Sequence, residues 1–101
     1  MKYFFYKLIP PRPDFAFTLT PAETAMMQEH SRYWDRVIAA GGAVTLGPVG
    51  DPAGVYGIGV IQAETLEIAQ GLVRADPALQ AETGCTSELH PMLGIKLRPG
   101  S

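Results

Sequence analysis

The sequence predicts an α+β fold in which four strands and two helices alternate in the order βαββαβ. Three observations carry this. A sharply punctuated amphipathic segment runs from Thr20 to Gly42, and a shorter one from Leu66 to Ala75. Runs of branched and aromatic residues flank both segments. The turn cluster Gly50-Asp51-Pro52-Ala53-Gly54 joins two of those runs by a connection too short for anything but antiparallel neighbours.

Lys2 to Ile9 is the first strand. Tyr3, Phe5 and Ile9, with Lys7 among them, alternate onto one face, and Phe4, Tyr6 and Leu8 onto the other. Both faces are apolar, so both are expected to be covered. Pro10-Pro11-Arg12-Pro13-Asp14 cannot continue a strand and opens a loop to Thr20, anchored by Phe15 and Phe17. The first helix starts at Thr20-Pro21-Ala22-Glu23, where Thr20 caps, Pro21 suits the first turn and Glu23 completes a capping box. Gly41-Gly42 closes it. At about 100° per residue, Ala22, Met26, Met27, Tyr33, Trp34, Val37 and Ile38 share an apolar stripe. His30 falls near the centre of that stripe, where a buried imidazole needs a partner.

Ala43 to Val49 is the second strand, ending at Gly47-Pro48, and Val55 to Gln62 is the third. Gly57 and Gly59 within it mark a bend or a close backbone approach. They are no dinucleotide fingerprint, because they open no helix. Thr65 caps the second helix, Leu66 to Ala75, whose apolar face is Ile68, Ala69, Leu72 and Val73. Asp76 continues that face at a helix C-terminus, where the dipole disfavours a carboxylate, and Pro77 turns the chain away. Ala78 to Gly84 reads as a short irregular or helical segment. Cys85 to Leu97 reads as the fourth strand, with Pro91 at an edge or bulge. Residues 1–98 form one domain, and 99–101 a frayed tail.

Composition narrows the function. At 101 residues and 47% apolar content the chain builds one modest core. A net charge of -2 with no basic cluster argues against nucleic acid and anionic membranes as partners. No apolar run approaches the ~20 residues of a membrane span. The single Cys85 fits a reducing, cytoplasmic setting and reads as a small buried apolar residue.

The order βαββαβ is the ferredoxin-like pattern, with two helices on one face of a four-stranded antiparallel sheet. The opposite face is then bare and apolar, which marks an association surface. A two-fold homodimer packed through the open sheet faces closes it most simply.

Several short motifs in this order resemble the YCII-related family. They are Lys2-Tyr3-Phe4, Leu19-Thr20-Pro21, His30 within the helix, Gly47-Pro48, the Gly54 to Gln62 strand and Ala75-Asp76-Pro77. The resemblance implies a dimeric α+β barrel with a histidine/aspartate pair in a pocket of each subunit. Its members are mostly of unknown function and include a dehydrochlorinase of chlorinated aromatic breakdown. Carried over, the histidine is His30 and the aspartate Asp76, with Asp51, in the loop after Gly47-Pro48, as the alternative.

Such a pair implies acid-base chemistry. The carboxylate holds one imidazole nitrogen and leaves the other to exchange a proton with a small, aromatic or enol-like substrate in an elimination or isomerisation. Gly47 and Pro48 would shape the pocket, and Tyr33, Trp34 or Phe15 would supply aromatic contacts. No cofactor is expected. A metal set of His30, His90, Asp76 and Glu88 lacks diagnostic spacing, and none is expected there. Two rival readings are a non-catalytic ligand-binding module and a cofactor-free oxygenase.

Overall fold

A computed structural model describes residues 1–100. Four strands form one antiparallel sheet in the order β2-β3-β1-β4, where β1 is Lys2–Ile9, β2 Ala43–Val49, β3 Tyr56–Ala63 and β4 Thr86–Pro91. The helices are α1 (Pro21–Ala39), α2 (Leu66–Arg74) and α3 (Pro77–Gln80), with a 3-10 turn at Phe15–Phe17. This is the expected ferredoxin-like arrangement, with the segment after Asp76 resolved as a third, one-turn helix.

The β1 alternation decides which face is covered. Phe4, Tyr6 and Leu8 are buried against Met26, Trp34 and Val37 of α1, Ala69 and Val73 of α2, and Ala78 of α3. Burying aromatic and aliphatic side chains of this size contributes about 1.5–3 kcal/mol each. The opposite face carries Tyr3, Phe5, Lys7 and Ile9, in register with Gln62, Val60 and Ile58 of β3 and with His90, Glu88 and Thr86 of β4. Its apolar residues are half-buried, and Lys7 Nζ sits 4.4 Å from the Tyr56 ring centroid.

Both ends of α1 are built as the residues dictate. The Thr20 hydroxyl accepts from Glu23 N at 3.1 Å while Glu23 Oε1 accepts from Thr20 N at 2.9 Å. Arg12 then clamps the same carboxylate with two bonds of 2.9 and 2.7 Å, tying the proline loop to the helix start. At the other end Gly41 N donates to Ile38 O and Gly42 N to Val37 O, with Gly41 at φ +83°. That pairing satisfies two carbonyls the helix leaves open.

Four expectations are corrected. The fourth strand stops at Pro91 rather than Leu97, because proline removes a ladder donor and Met92 makes a last bond to Tyr3 O before the chain leaves the sheet. Ala22 and Ile38 of the predicted α1 stripe are exposed, because the face of α1 turned to the core is narrower than the stripe and buries Glu23, Met26, Trp34 and Val37. Ile68 of α2 is 50% exposed, because the buried face narrows to Ala69 and Val73. Phe17 is exposed, so of the two phenylalanines only Phe15 is a buried anchor of the loop. Of the expected tail, Pro99 and Gly100 form a turn, and Ser101 lies outside the described residues.

Candidate functional site

Tyr6 of β1, His30 and Trp34 of α1, and Asp76 between α2 and α3 meet at one point in the core. Asp76 is completely buried. Its Oδ2 accepts from Tyr6 OH at 2.7 Å and from Trp34 Nε1 at 2.8 Å. Its Oδ1 accepts from Ala78 N at 2.9 Å and lies 2.7 Å from His30 Nδ1. Burial pushes the Asp76 carboxyl upward, but the bonds from His30, Trp34 and Tyr6 outweigh it and hold the acid below its ordinary value. An ionised carboxylate only accepts, so the proton of the His30–Asp76 bond sits on Nδ1. Nε2 is then the nitrogen left to meet a ligand.

The same contact acts in reverse on Tyr6. Burial first, then the Asp76 charge, raise its phenol far above the ordinary tyrosine range, so it stays a neutral donor. The Tyr6 and Trp34 rings also stack, with centroids 5.1 Å apart.

The local chain explains why Asp76 tolerates this position. It follows the C-cap of α2, Ala75, but is itself the N-cap of α3, with Pro77 in the first turn. The dipole conflict expected from the sequence is therefore reversed: the carboxylate faces the positive end of a new helix. The Asp-Pro pair is the signature of that start.

His30, its side chain 12% exposed, lines a cavity of about 400 Å³ between α1, the 3-10 turn and the sheet. Phe15, Trp34, Gly47 and Pro48 line it too, as expected for pocket residues. Tyr33 does not. It points to α2, where its hydroxyl donates to Leu72 O, and its ring meets Trp34 edge-on. Asp51 is also placed elsewhere: its carboxylate accepts from Ala53 N within its own turn. Tyr6, Leu46 and Gly57 are lining residues that the sequence did not assign to a pocket. Only strand register, with Tyr6 opposite Gly59 and Leu8 opposite Gly57, brings them under α1.

The four-residue metal set does not assemble. His90 and Glu88 lie on the outer sheet face, 3.3 Å from each other, while His30 and Asp76 lie on the helix face. Among the described residues no three His, Cys, Asp or Glu gather closely enough to hold a metal ion. Cys85 is half-buried beside Thr83, and burial raises its thiol. No helix among the described residues is long and apolar enough to cross a membrane.

Comparison with known protein families matches residues 1–92 to the YCII-related domain. The chain belongs to the YCII-related family. The match to this YCII-related domain spans every strand and helix and stops one residue past β4. Among curated proteins, none matches the chain.

Proposed function

We propose that this YCII-related protein is a small-molecule enzyme that works by general acid-base catalysis without a cofactor. His30 takes a proton from the substrate through Nε2, and Asp76 positions the ring through Nδ1. In an elimination, the bonding pair released from carbon forms the new double bond as the leaving group departs. In an isomerisation, the imidazolium returns the proton at another carbon. The observation that supports this reading is the 2.7 Å contact between His30 and a carboxylate held by three further donors, at the wall of a cavity. So firmly held an orienting acid restricts the imidazole to one tautomer before any ligand arrives.

The protein acts as a homodimer packed through the open sheet faces, which the apolar Tyr3, Phe5, Ile58 and Val60 support. One unpaired cysteine is consistent with a reducing, cytoplasmic setting. A non-catalytic ligand-binding module is the second reading, favoured by the largely apolar cavity lining.

His30→Asn separates the two. The amide of asparagine can still donate towards Asp76 but offers no basic nitrogen. Turnover of a substrate found by screening cyclic ketones, lactones and halogenated enols is expected to fall at least about a hundredfold. Unchanged turnover in a variant with the parent's melting temperature overturns the base assignment.

A further inference from the structure

We infer that the His30 cavity selects uncharged, largely apolar molecules carrying one hydrogen-bond donor, and rejects carboxylates and phosphates of the same shape. This names the ligand class of the site proposed above and rests on that cavity being where ligand binds.

Its volume, about 400 Å³, lies at the lower end of the ~300–1,000 Å³ typical of small-molecule pockets. Leu8, Leu19, Met27, Ile38 and Leu46 supply apolar walls. Gly57 leaves part of it open: a Cβ added there would meet only Leu8 Cβ, at 3.5 Å, which is ordinary contact. The cavity thus extends over a strand position that elsewhere would carry a side chain.

None of the described lining residues is lysine or arginine. Two cations approach lining rings without lining the cavity themselves. Arg12, over Phe15, is clamped to Glu23, and Lys7 lies on the outer sheet face over Tyr56. The buried N–H of Trp34 and O–H of Tyr6 already donate to Asp76. Ser31 and Asp35 stand exposed at the rim, and Asp35 adds negative charge. Asp76 supplies a second negative charge behind the imidazole.

His30 lines this wall, and Nε2 is the ring nitrogen that Asp76 leaves free for a ligand. With Nδ1–H given to Asp76, Nε2 of the neutral ring is an acceptor and pairs with an O–H, N–H or activated C–H. A carboxylate there sets lone pair against lone pair and gives up its hydration without compensation.

Trp34, the single tryptophan of the chain, lines the cavity, so its fluorescence reports entry. The probes are 4-tert-butylbenzamide and 4-tert-butylbenzoate, equal in shape and differing in charge and in the donor offered to Nε2. At pH 7 the amide is expected to bind at least about thirtyfold more tightly than the carboxylate, since an unpaired buried charge is heavily penalised. Gly57→Val, which fills the cavity with a residue suited to a strand, is expected to weaken amide binding at least about tenfold without lowering the melting temperature. Equal binding of the two probes, or no response to the amide at millimolar concentration, overturns the inference. A clear preference for the amide in a protein that turns over nothing leaves the inference standing and removes only the catalytic reading.

Discussion

A carboxylate with four donors and no exposed surface is the residue on which the site depends. Removing it in Asp76→Ala strands Tyr6 OH, Trp34 Nε1 and Ala78 N, buried donors whose loss of a partner costs about 1–3 kcal/mol each. We expect Asp76→Ala to lower unfolding stability by about 4 kcal/mol, and Tyr6→Phe, which removes one donor and leaves an otherwise satisfied acid, by about 1 kcal/mol. Urea titration measures both, and equal losses would contradict the network. The pH response follows from the same residues. Asp76 is held below its ordinary value, and Glu23, bonded by Arg12 and by Thr20, is lowered from 4.5 to about 2. Both acids bind protons more readily unfolded than folded, so their contribution is present above about pH 4.5 and lost as pH falls towards 2. Tyr6 has the opposite sign. Its raised folded value makes stability fall once unfolded tyrosine ionises, above about pH 10. Melting temperatures measured from pH 2 to 11 should therefore drop at both ends, and Tyr6→Phe should lessen the alkaline drop.

At the scale of the element, the ends of α1 separate residues that hold it from residues that merely occupy a turn. Thr20→Ala removes the hydroxyl from the capping box and is expected to cost about 1 kcal/mol. Gly42 has a tighter constraint: a Cβ would lie 2.8 Å from Val37 Cγ1 and 3.3 Å from Val37 O. Because Val37 is buried, Gly42→Ala forces a shift in the core, at about 1–3 kcal/mol. Gly47→Ala meets nothing within 4 Å and is expected to be near neutral. Thermal unfolding of the three variants tests that ranking. The elements also show where sequence reasoning was misled. Asp76 reads as the strained end of α2 when a one-turn helix is too short to leave a periodic signal. Once α3 is recognised from Asp-Pro, the same carboxylate is a cap. Tyr33 and His30 share a stripe broad enough to touch two partners, so spacing could not tell that Tyr33 turns to α2 and His30 to the cavity.

For the whole molecule, the one-sided placement of the helices is what matters. It creates the cavity on the covered face and leaves Tyr3, Phe5, Ile58 and Val60 half-buried on the other. A dimer through that face is expected to sediment as a single species of twice the 10.9 kDa chain mass at micromolar concentration. Phe5→Lys, opposite Val60 and His90 at the middle of the sheet, should shift it to monomer while far-ultraviolet circular dichroism is preserved. A parent protein that sediments as a monomer would remove the dimer from the proposal.

The sequence by itself determined the order of elements, the start and stop of α1, and which β1 side chains share a face. Those features rest on local sterics, capping and periodicity, which neighbouring residues encode. It also marked His30 as out of place on an apolar stripe. The family resemblance offered Asp76, or Asp51, as its partner, and only the tertiary structure decided between them. The acid is 46 residues away and the tyrosine steadying that acid is a further 24 from His30 in the other direction, 70 from Asp76 itself. Contacts across such separations depend on strand register and helix packing, and no local pattern records them. The same reason hid the cavity: its open floor at Gly57 has meaning only when Leu8 lies beside it and α1 lies above.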